Sequence, residues 1–484
     1  MRIRYIFNQS TRRQIMNSTL TTFKFQPPVN RDMRTLDRSF FVVKVPLCVV
    51  RFPDPKNISL FSKEFKDYIL RVPRIPHVVK LSTLSEVTPQ DGKTLACDNK
   101  IVSKGVLLND NIRTVQEAYK ELPQEAMDFL KNSEAELLPY EKVLDYNFWK
   151  AEEILRAVLP LDLLDEIPTG FTVTGHIAHL NLREEFKPYD SLIGQVILDK
   201  NNKIETVVDK VSSIATKFRT FPMKVIAGRD DSLVVEQRES DCVFRFDFSK
   251  VYWNSRLHTE HDRLVSKYFQ PGQVVCDVFA GVGPFAIPAG KKHVFVLAND
   301  LNPESFKYLQ ENIKLNKVDP FVEPFDLDGA QFIQQSPQLL EKWANRVGKV
   351  SIQLNKRKRQ KKEDQHGAPS IKEFSIPLEI HHYVMNLPDS SITFLHYFKG
   401  LFNGSCIKNL PWIHIHCFEK HGTDEEPTMD ELHERVHKRI LRELSVDDST
   451  LPLNQISIHL VRKVSPTKPM FCASFQLPKS VARN

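Results

Sequence analysis

No run of this sequence approaches the ~18 uninterrupted apolar residues of a membrane-spanning helix, so no membrane role is expected. Cysteine is sparse: seven residues, scattered, with no CxxC pair. That usage argues against a disulfide framework and suits a reducing compartment. Acidic residues are missing from the first 31 positions, which hold six basic ones. A basic body is missing as well. The net charge of +7 is more than accounted for by those 31 residues and by 351–373, with seven basic and three acidic residues. The remainder is slightly acidic, so any nucleic acid would be met through local patches. A third glycine is also missing from the turn Ala280-Gly281-Val282-Gly283-Pro284-Phe285. That counts against the GxGxxG pyrophosphate turn of a nicotinamide oxidoreductase.

What is present centres on VVCDVFAGVGPFAIPAGKKHVFVLANDLNPES, 274–305. A short apolar run reads as a buried parallel strand. A glycine turn follows, with a helix expected from Gly283–Pro284, then a second apolar run ending at Asp300, then helical spacing from Pro303 to Asn316. This is half of a nucleotide-binding α/β fold. Gly281 and Gly283 let backbone approach a ligand where a Cβ would collide. Asp300 can accept from both hydroxyls of a ribose. Asp277, before the turn, suits a ligand with a positive amino-acid end. S-adenosylmethionine combines a ribose, an adenine and such an end.

The length of 484 residues predicts two to four domains, and 41% hydrophobic residues are enough for sizeable cores. Residues 1–31 have the composition of a mitochondrial transit leader, and a start at Met16 would remove four of its arginines. Residues 32–135 read as a small α+β accessory domain for binding, and 136–252 as a second α+β unit. In that unit NFWKAEEILRAVLP predicts an amphipathic helix with Trp149, Ile154, Leu155 and Val158 on one face. His176 and His179, three apart in a strand-like run, would face opposite ways, which speaks against a shared metal. A helix from about Leu257 would align Arg256, Glu260 and Arg263 on one side and lead into the strand carrying Asp277. Asp326 and Asp328 fall at the carboxyl end of the next strand, where open α/β sheets bind ligands, and Asp328 suits the adenine amino group. Asn386-Leu387-Pro388 ends a further buried strand and offers a fixed donor and acceptor to a planar base. His414 and His416 share a strand face, with Cys417 beside them, but no second ligand cluster has zinc spacing, so no metal is expected. KRKRQKK, 356–362, reads as a disordered insertion. A helix over Met429–Leu444 and two late strands complete the pattern. A closing antiparallel pair after a parallel run is the layout of S-adenosylmethionine-dependent methyltransferases.

Several long motifs in one order, from about residue 40 to the C-terminus, carry a resemblance. They are GHIAHLNLREEFKPYDSLIGQVILDK, FDFSKVYWNSRLHTEH, DVFAGVGPFAIPAGKK, NDLNPESFKYLQENIKLNKV, MNLP and VSPTKPMFCASFQLP. The chain resembles the eukaryotic and archaeal tRNA (guanine-37-N1)-methyltransferases. The resemblance implies a class I, Rossmann-like methyltransferase domain over 253–484, preceded by the two smaller α+β domains, the first gripping the tRNA elbow. It implies S-adenosylmethionine as cofactor and tRNA with guanine at position 37 as partner. A monomer is expected, and the basic leader leads us to expect dual or multiple targeting, to mitochondrial matrix, cytoplasm and nucleus. Cofactor positions fall on His261, Asp300, Leu301, Asp328, Gly329 and Asn386, beside Asp277, Gly281 and Gly283 from the turn itself. Catalytic positions fall on Arg219 and Glu260, with Arg256, Asn386 and Pro388 supporting. Glu260 is expected to be the general base with a pKa raised by burial, Arg219 to stabilise charge on O6, and Tyr252 or Trp253 to offer a stacking face. Ser255 stands where the family often has proline. Two alternatives stay open: the related wybutosine-pathway aminocarboxypropyltransferase, and a tRNA-binding protein with a vestigial cofactor fold.

Overall fold

A computed structural model describes residues 25–82, 102–211, 220, 222–354, 370–404 and 408–484. Most of the leader, Arg219 and the KRKRQKK stretch lie outside the described residues. The chain forms two compact units, residues 1–169 with 183–202, and residues 170–182 with 203–484.

The first unit is built on a four-stranded antiparallel sheet. Its strands are β1 (Val43–Arg51), β2 (Val78–Ser82), β3 (Val102–Leu107) and β4 (Glu136–Leu144), in the order β2-β3-β1-β4. Phe52, Phe61 and Phe65 fill the core beneath it. The boundary expected at 135/136 moves, because β4 pairs with β1 along its whole length, from Val43↔Leu144 to Arg51↔Glu136. Residues 136–169 therefore stay with this sheet. The expected amphipathic helix forms over Ala151–Val158, ends before Pro160, and buries Ile154, Leu155 and Val158. Trp149 is buried just before it and donates its Nε1–H to the Phe41 carbonyl at 2.8 Å. The helix Asp190–Lys200 belongs here as well, tied by Asp199 to Arg38 at 2.7 Å.

The second unit begins with β5 (Thr172–Thr174), β6 (Ile177–Leu180), β7 (Thr206–Lys210) and β8 (Met223–Gly228), which form a small sheet in that order. Only His179 of the two early histidines is in a strand; His176 occupies the β5–β6 turn. The hairpin of β9 (Val234–Glu239) and β10 (Cys242–Asp247) hangs on the helix Pro303–Leu315 and its end: Asn312 and Asn316 accept from the backbone N–H of Arg245 and Val243 at 2.8 and 2.9 Å. Residues 234–247 thus pack with the α/β body and not with a separate middle domain.

That body is a seven-stranded sheet. Its strands are β11 (Val274–Asp277), β12 (Phe295–Asn299), β13 (Val322–Phe325), β16 (His382–Met385), β17 (Trp412–Phe418), β18 (Ser457–Ser465) and β19 (Lys468–Gln476). A hairpin of β14 (Lys349–Leu354) and β15 (Ser370–Ser375) flanks the basic insertion. The order is β13-β12-β11-β16-β17-β19-β18, parallel through β17 and antiparallel for the last pair. The inner strands β11, β12 and β16 are mostly apolar because both faces are covered, with polar residues at their ends; every residue of the three is buried. Asn302 caps the helix Pro303–Leu315, with proline at its first position, and a Thr428–Glu431 capping box starts the helix Met429–Leu444. Among the described residues no helix is long and apolar enough to cross a membrane.

Candidate active site

The carboxyl ends of β11, β12, β13 and β16 gather most of the expected cofactor residues. Gly281 follows β11 with φ +55°, and a Cβ added there would meet nothing within 4 Å, so the backbone borders open space. Gly283 is required for a different reason. At φ +98° its Cβ would lie 2.7 Å from Cγ1 of Ile287. These left-handed turns delay the helix, which runs over Ala286–Lys291 and does not start at Gly283–Pro284.

Asp300 holds the turn together. Its Oδ2 accepts from Gly281 N–H at 2.8 Å and its Oδ1 from Asn302 N–H at 2.9 Å. The Ser305 side chain hydrogen-bonds this carboxylate as well, and the remaining acceptor capacity is open to a ligand hydroxyl. Burial raises its pKa, and those two N–H groups partly offset the rise. Asn299, which the sequence argument missed, staples three segments. Its Nδ2 donates to the Val278 and Leu327 carbonyls and its Oδ1 accepts from Leu327 N–H.

Asp277 is fully buried, and neither of its carboxylate oxygens has a hydrogen-bond partner. Burial, then the charge of Asp300, pushes its pKa up to about 8. An orphaned buried carboxylate is costly, and it suits a cationic ligand group. Further along the edge, Asp328 is exposed and caps the helix Gly329–Val347 through Ala330 N–H. A Cβ on Gly329 would come within 2.8 Å of the Phe279 ring, so glycine keeps that aromatic wall in place. Leu301 is partly exposed beside Asp300. His261 is buried, with Nδ1 at 2.6 Å from Glu239 Oε1 and its ring edge-on to Phe285.

A cavity of about 450 Å³ opens next to this edge, among Tyr252, Arg256, Asn386, Pro388, Phe418 and Arg462. Asn386 Oδ1 is buried without a partner. The loop after it is fixed by Ser390 and Ser391 N–H to the Leu387 carbonyl and by Phe418 N–H to the Pro388 carbonyl. Of the two aromatic candidates, Tyr252 is exposed, whereas Trp253 packs into the core against Phe244 and Phe246. A wider cavity of about 670 Å³ lies in the first unit around Arg71, Arg74 and Phe148. There Arg74 is already paired with Glu153, and an orphaned acceptor like Asn386 Oδ1 is absent from its lining.

The aligned stripe of Arg256, Glu260 and Arg263 does not form. Asn254 accepts from Arg256 N–H and starts a 3₁₀ turn over Ser255–Leu257, which breaks the 3.6-residue period before the α-helix His258–Lys267. Arg256 instead lines the cavity and reaches Thr172 Oγ1 at 3.3 Å. Glu260, one turn on, is buried in a clamp. Arg263 donates to both of its oxygens at 2.6 and 2.8 Å, and His416 Nε2 lies 2.8 Å from Oε1.

The expected upward pKa shift of Glu260 is reversed. Burial raises it, but the Arg263 and His416 hydrogen bonds outweigh burial and hold it well below the usual carboxylate range. Burial would lower the pKa of His416; Cys472 and Glu260 beside it raise it to about 10 instead. His414, noted with His416 for zinc, is bonded to His382 and Ser474. Glu260, His416 and Cys472 do bring metal-ligand atoms within 4.8 Å of one another, but the Arg263 guanidinium already occupies that carboxylate. Arg219, the expected electrostatic partner, falls outside the described residues.

Comparison with known proteins bears on the fold and the family. Residues 235–350 match the TRM5/TYW2 methyltransferase domain and residues 151–231 the TYW2 N-terminal domain. Two solved structures share the fold. The complex of aTrm5 with tRNALeu superposes with a TM-score of 0.54 at 18% identity, covering 89% of this chain and 100% of that one. Trm5b from Pyrococcus abyssi gives 0.52 at 22%, covering 89% and 98%. A tRNA (guanine(37)-N(1))-methyltransferase of Candida albicans (strain WO-1) is 49% identical over 95% of this chain and 98% of its own length. One of Saccharomyces cerevisiae (strain ATCC 204508 / S288c) is 64% identical over 476 residues, 95% of each chain. With that identity along nearly the whole length, the chain belongs to the tRNA (guanine(37)-N(1))-methyltransferase family.

Proposed function

We propose that this protein transfers a methyl group from S-adenosylmethionine to N1 of guanine 37 in tRNA. The observation that carries the reading is a pair of orphaned acceptors on adjacent strands: the buried Asp277 carboxylate ending β11 and Asn386 Oδ1 just past β16. The first suits the cofactor's ammonium group, the second the edge of a base. The residues around them fit the cofactor, with Asp300 toward the ribose, Asp328 toward the adenine amino group, and Leu301, Gly329 and His261 shaping the walls. When bound, S-adenosylmethionine supplies an electrophilic methyl group.

The chain's own residues must free the nucleophile. Guanine N1 carries a proton at neutral pH, so its lone pair is not available until that proton leaves. Glu260 takes it, and the N–H bonding pair becomes the attacking pair. In the free protein the clamp by Arg263 and His416 keeps Glu260 ionised but a weak base, so proton transfer requires the guanine to displace part of that clamp and raise the carboxylate's basicity as it enters. Negative charge then spreads onto O6, which Arg219 stabilises more in the transition state than in the ground state. Asn386 orients the base, Pro388 stiffens the loop beneath it, and Tyr252 offers a face to a base turned out of its stack. Arg256 lines the same cavity.

The protein acts as a monomer, in the mitochondrial matrix as well as in cytoplasm and nucleus, with the basic leader directing the first of these. The decisive experiment incubates the protein with S-adenosylmethionine and an unmodified tRNA transcript carrying guanine 37, then analyses nucleosides by mass. 1-Methylguanosine is expected. A base carrying an aminocarboxypropyl group would point to the wybutosine-pathway chemistry, and an unmodified transcript would leave only a binding role.

A further inference from the structure

The cavity beside Asn386 contains two cations, Arg462 and Arg256, to which the proton transfer proposed above assigns no step. Arg462 lies on β18, the edge strand of the large sheet. Leu460 pairs with Phe471 of β19, but the next pair is Arg462 with Met470, so β18 carries one extra residue there. A β-bulge re-aims the side chains after it. It moves Arg462 into the place opposite Met470, and both residues line the cavity. Arg256 reaches the same cavity from its 3₁₀ turn.

Among the described residues neither guanidinium is in an ion pair, and no carboxylate lines the cavity. Burial, then the charge of Arg256, lowers the pKa of Arg462, so the two cations feel each other. A guanidinium does not escape by losing its proton, and like charges held together in a partly buried cavity are unfavourable until an anion arrives. Guanine is neutral and cannot supply the anion. Its own backbone can, and the planar fork of arginine matches phosphate oxygens in pairs.

We infer that Arg462 and Arg256 clasp the phosphodiester adjoining the guanine that enters this cavity, so that the nucleotide is held by its backbone as well as its base. This rests on the function proposed above. The other anion at hand is the cofactor's carboxylate, and the test separates the two.

The full-length protein is compared with Arg462→Gln and Arg462→Lys. Arg462→Gln should raise the KM for tRNA about ten- to a hundredfold, the loss of one charge-assisted contact. The single-turnover rate at saturating tRNA should stay close to wild type. The slope of log affinity against log salt should fall by about 0.7, one phosphate of a single strand. Arg462→Lys should keep that slope. A transcript with one uncharged methylphosphonate beside guanine 37 should bind the wild-type protein more weakly, yet lose nothing further with Arg462→Gln. An unchanged salt slope overturns the inference. So does weaker S-adenosylmethionine binding by Arg462→Gln in the absence of tRNA, because that places the cofactor's carboxylate on Arg462. A wild-type protein that leaves guanine 37 unmethylated strikes the underlying function instead.

Discussion

Replacing Asp277 by Asn should make the free protein more stable and the cofactor bind worse. The folded-state pKa is about 8 against an ordinary 3.8. Below pH 3.8 the carboxyl is protonated in both folded and unfolded chains, and it has no effect on stability. Between 3.8 and 8 the unfolded chain ionises while the folded one keeps its proton. Folding stability therefore falls by about 1.4 kcal/mol per pH unit across that window and levels off above it. At pH 7 the loss amounts to about 4 kcal/mol. Asparagine removes this dependence but introduces a buried amide with its own unsatisfied groups, worth about 1–3 kcal/mol. The sharp quantity is thus the difference between variant and wild type, which should grow by about 2.7 kcal/mol from pH 5 to pH 7. Denaturant unfolding of both proteins at several pH values measures it. The linked result is proton release. If the cofactor's ammonium requires Asp277 ionised, the wild-type protein should lose one proton on binding S-adenosylmethionine below pH 8, with affinity falling about tenfold per unit of acidification. The variant should release none. Calorimetry in buffers of different ionisation enthalpy counts the proton. A stability difference that is flat between pH 5 and 7, together with no proton release by wild type, would refute the reasoning.

Three further outcomes are expected. Glu260→Gln should cut the single-turnover rate by about 10²–10⁴. Because Glu260 stays ionised in the free protein, the pH profile of kcat/KM should show no acid limb from this group between pH 5 and 7; the substitution should also destabilise the fold by about 3–5 kcal/mol by leaving Arg263 and His416 unpaired, and a wild-type rate in a folded variant would remove Glu260 from the mechanism. Deleting residues 354–370 should leave the rate at saturating tRNA intact, and a loss there would show that the basic insertion takes part in catalysis. A fluorescent fusion beginning at Met16 should shift from mitochondria toward the cytosol relative to one beginning at Met1, whereas identical distributions would contradict a targeting role for the leader.

Much of the cofactor edge could be read from the sequence because its logic is local. Asp277, Gly281, Gly283 and Asp300 lie within 24 residues of one another, and short-range steric and hydrogen-bonding needs determine their residue types. The strand ends at Asp328 and Asn386 followed from period and apolarity alone. What could not be read depends on long-range pairing. The partner of β4 lies some ninety positions earlier in the chain, and no local signal assigns a half-apolar strand to one sheet over another. The reversal at Glu260 has the same origin: His416 is 156 residues away, and its appearance as a metal candidate came from the right face of the right strand with the wrong partner. Arg462 was hidden because a bulge changes which face a residue occupies, and strict alternation cannot anticipate one.

The neighbouring parallel strands β6 and β7 both belong to the second unit, yet the segment that joins them, with the helix Asp190–Lys200, belongs to the first. The chain therefore crosses between the two units three times. No single cut yields both as intact fragments: removal of residues 1–169 strips the helix Asp190–Lys200 of its partners, and truncation before Lys203 strips the second unit of β5 and β6. The two units are interleaved along the sequence. An exchange of the N-terminal unit between relatives would need two grafts made together, one at 1–169 and one at 183–202.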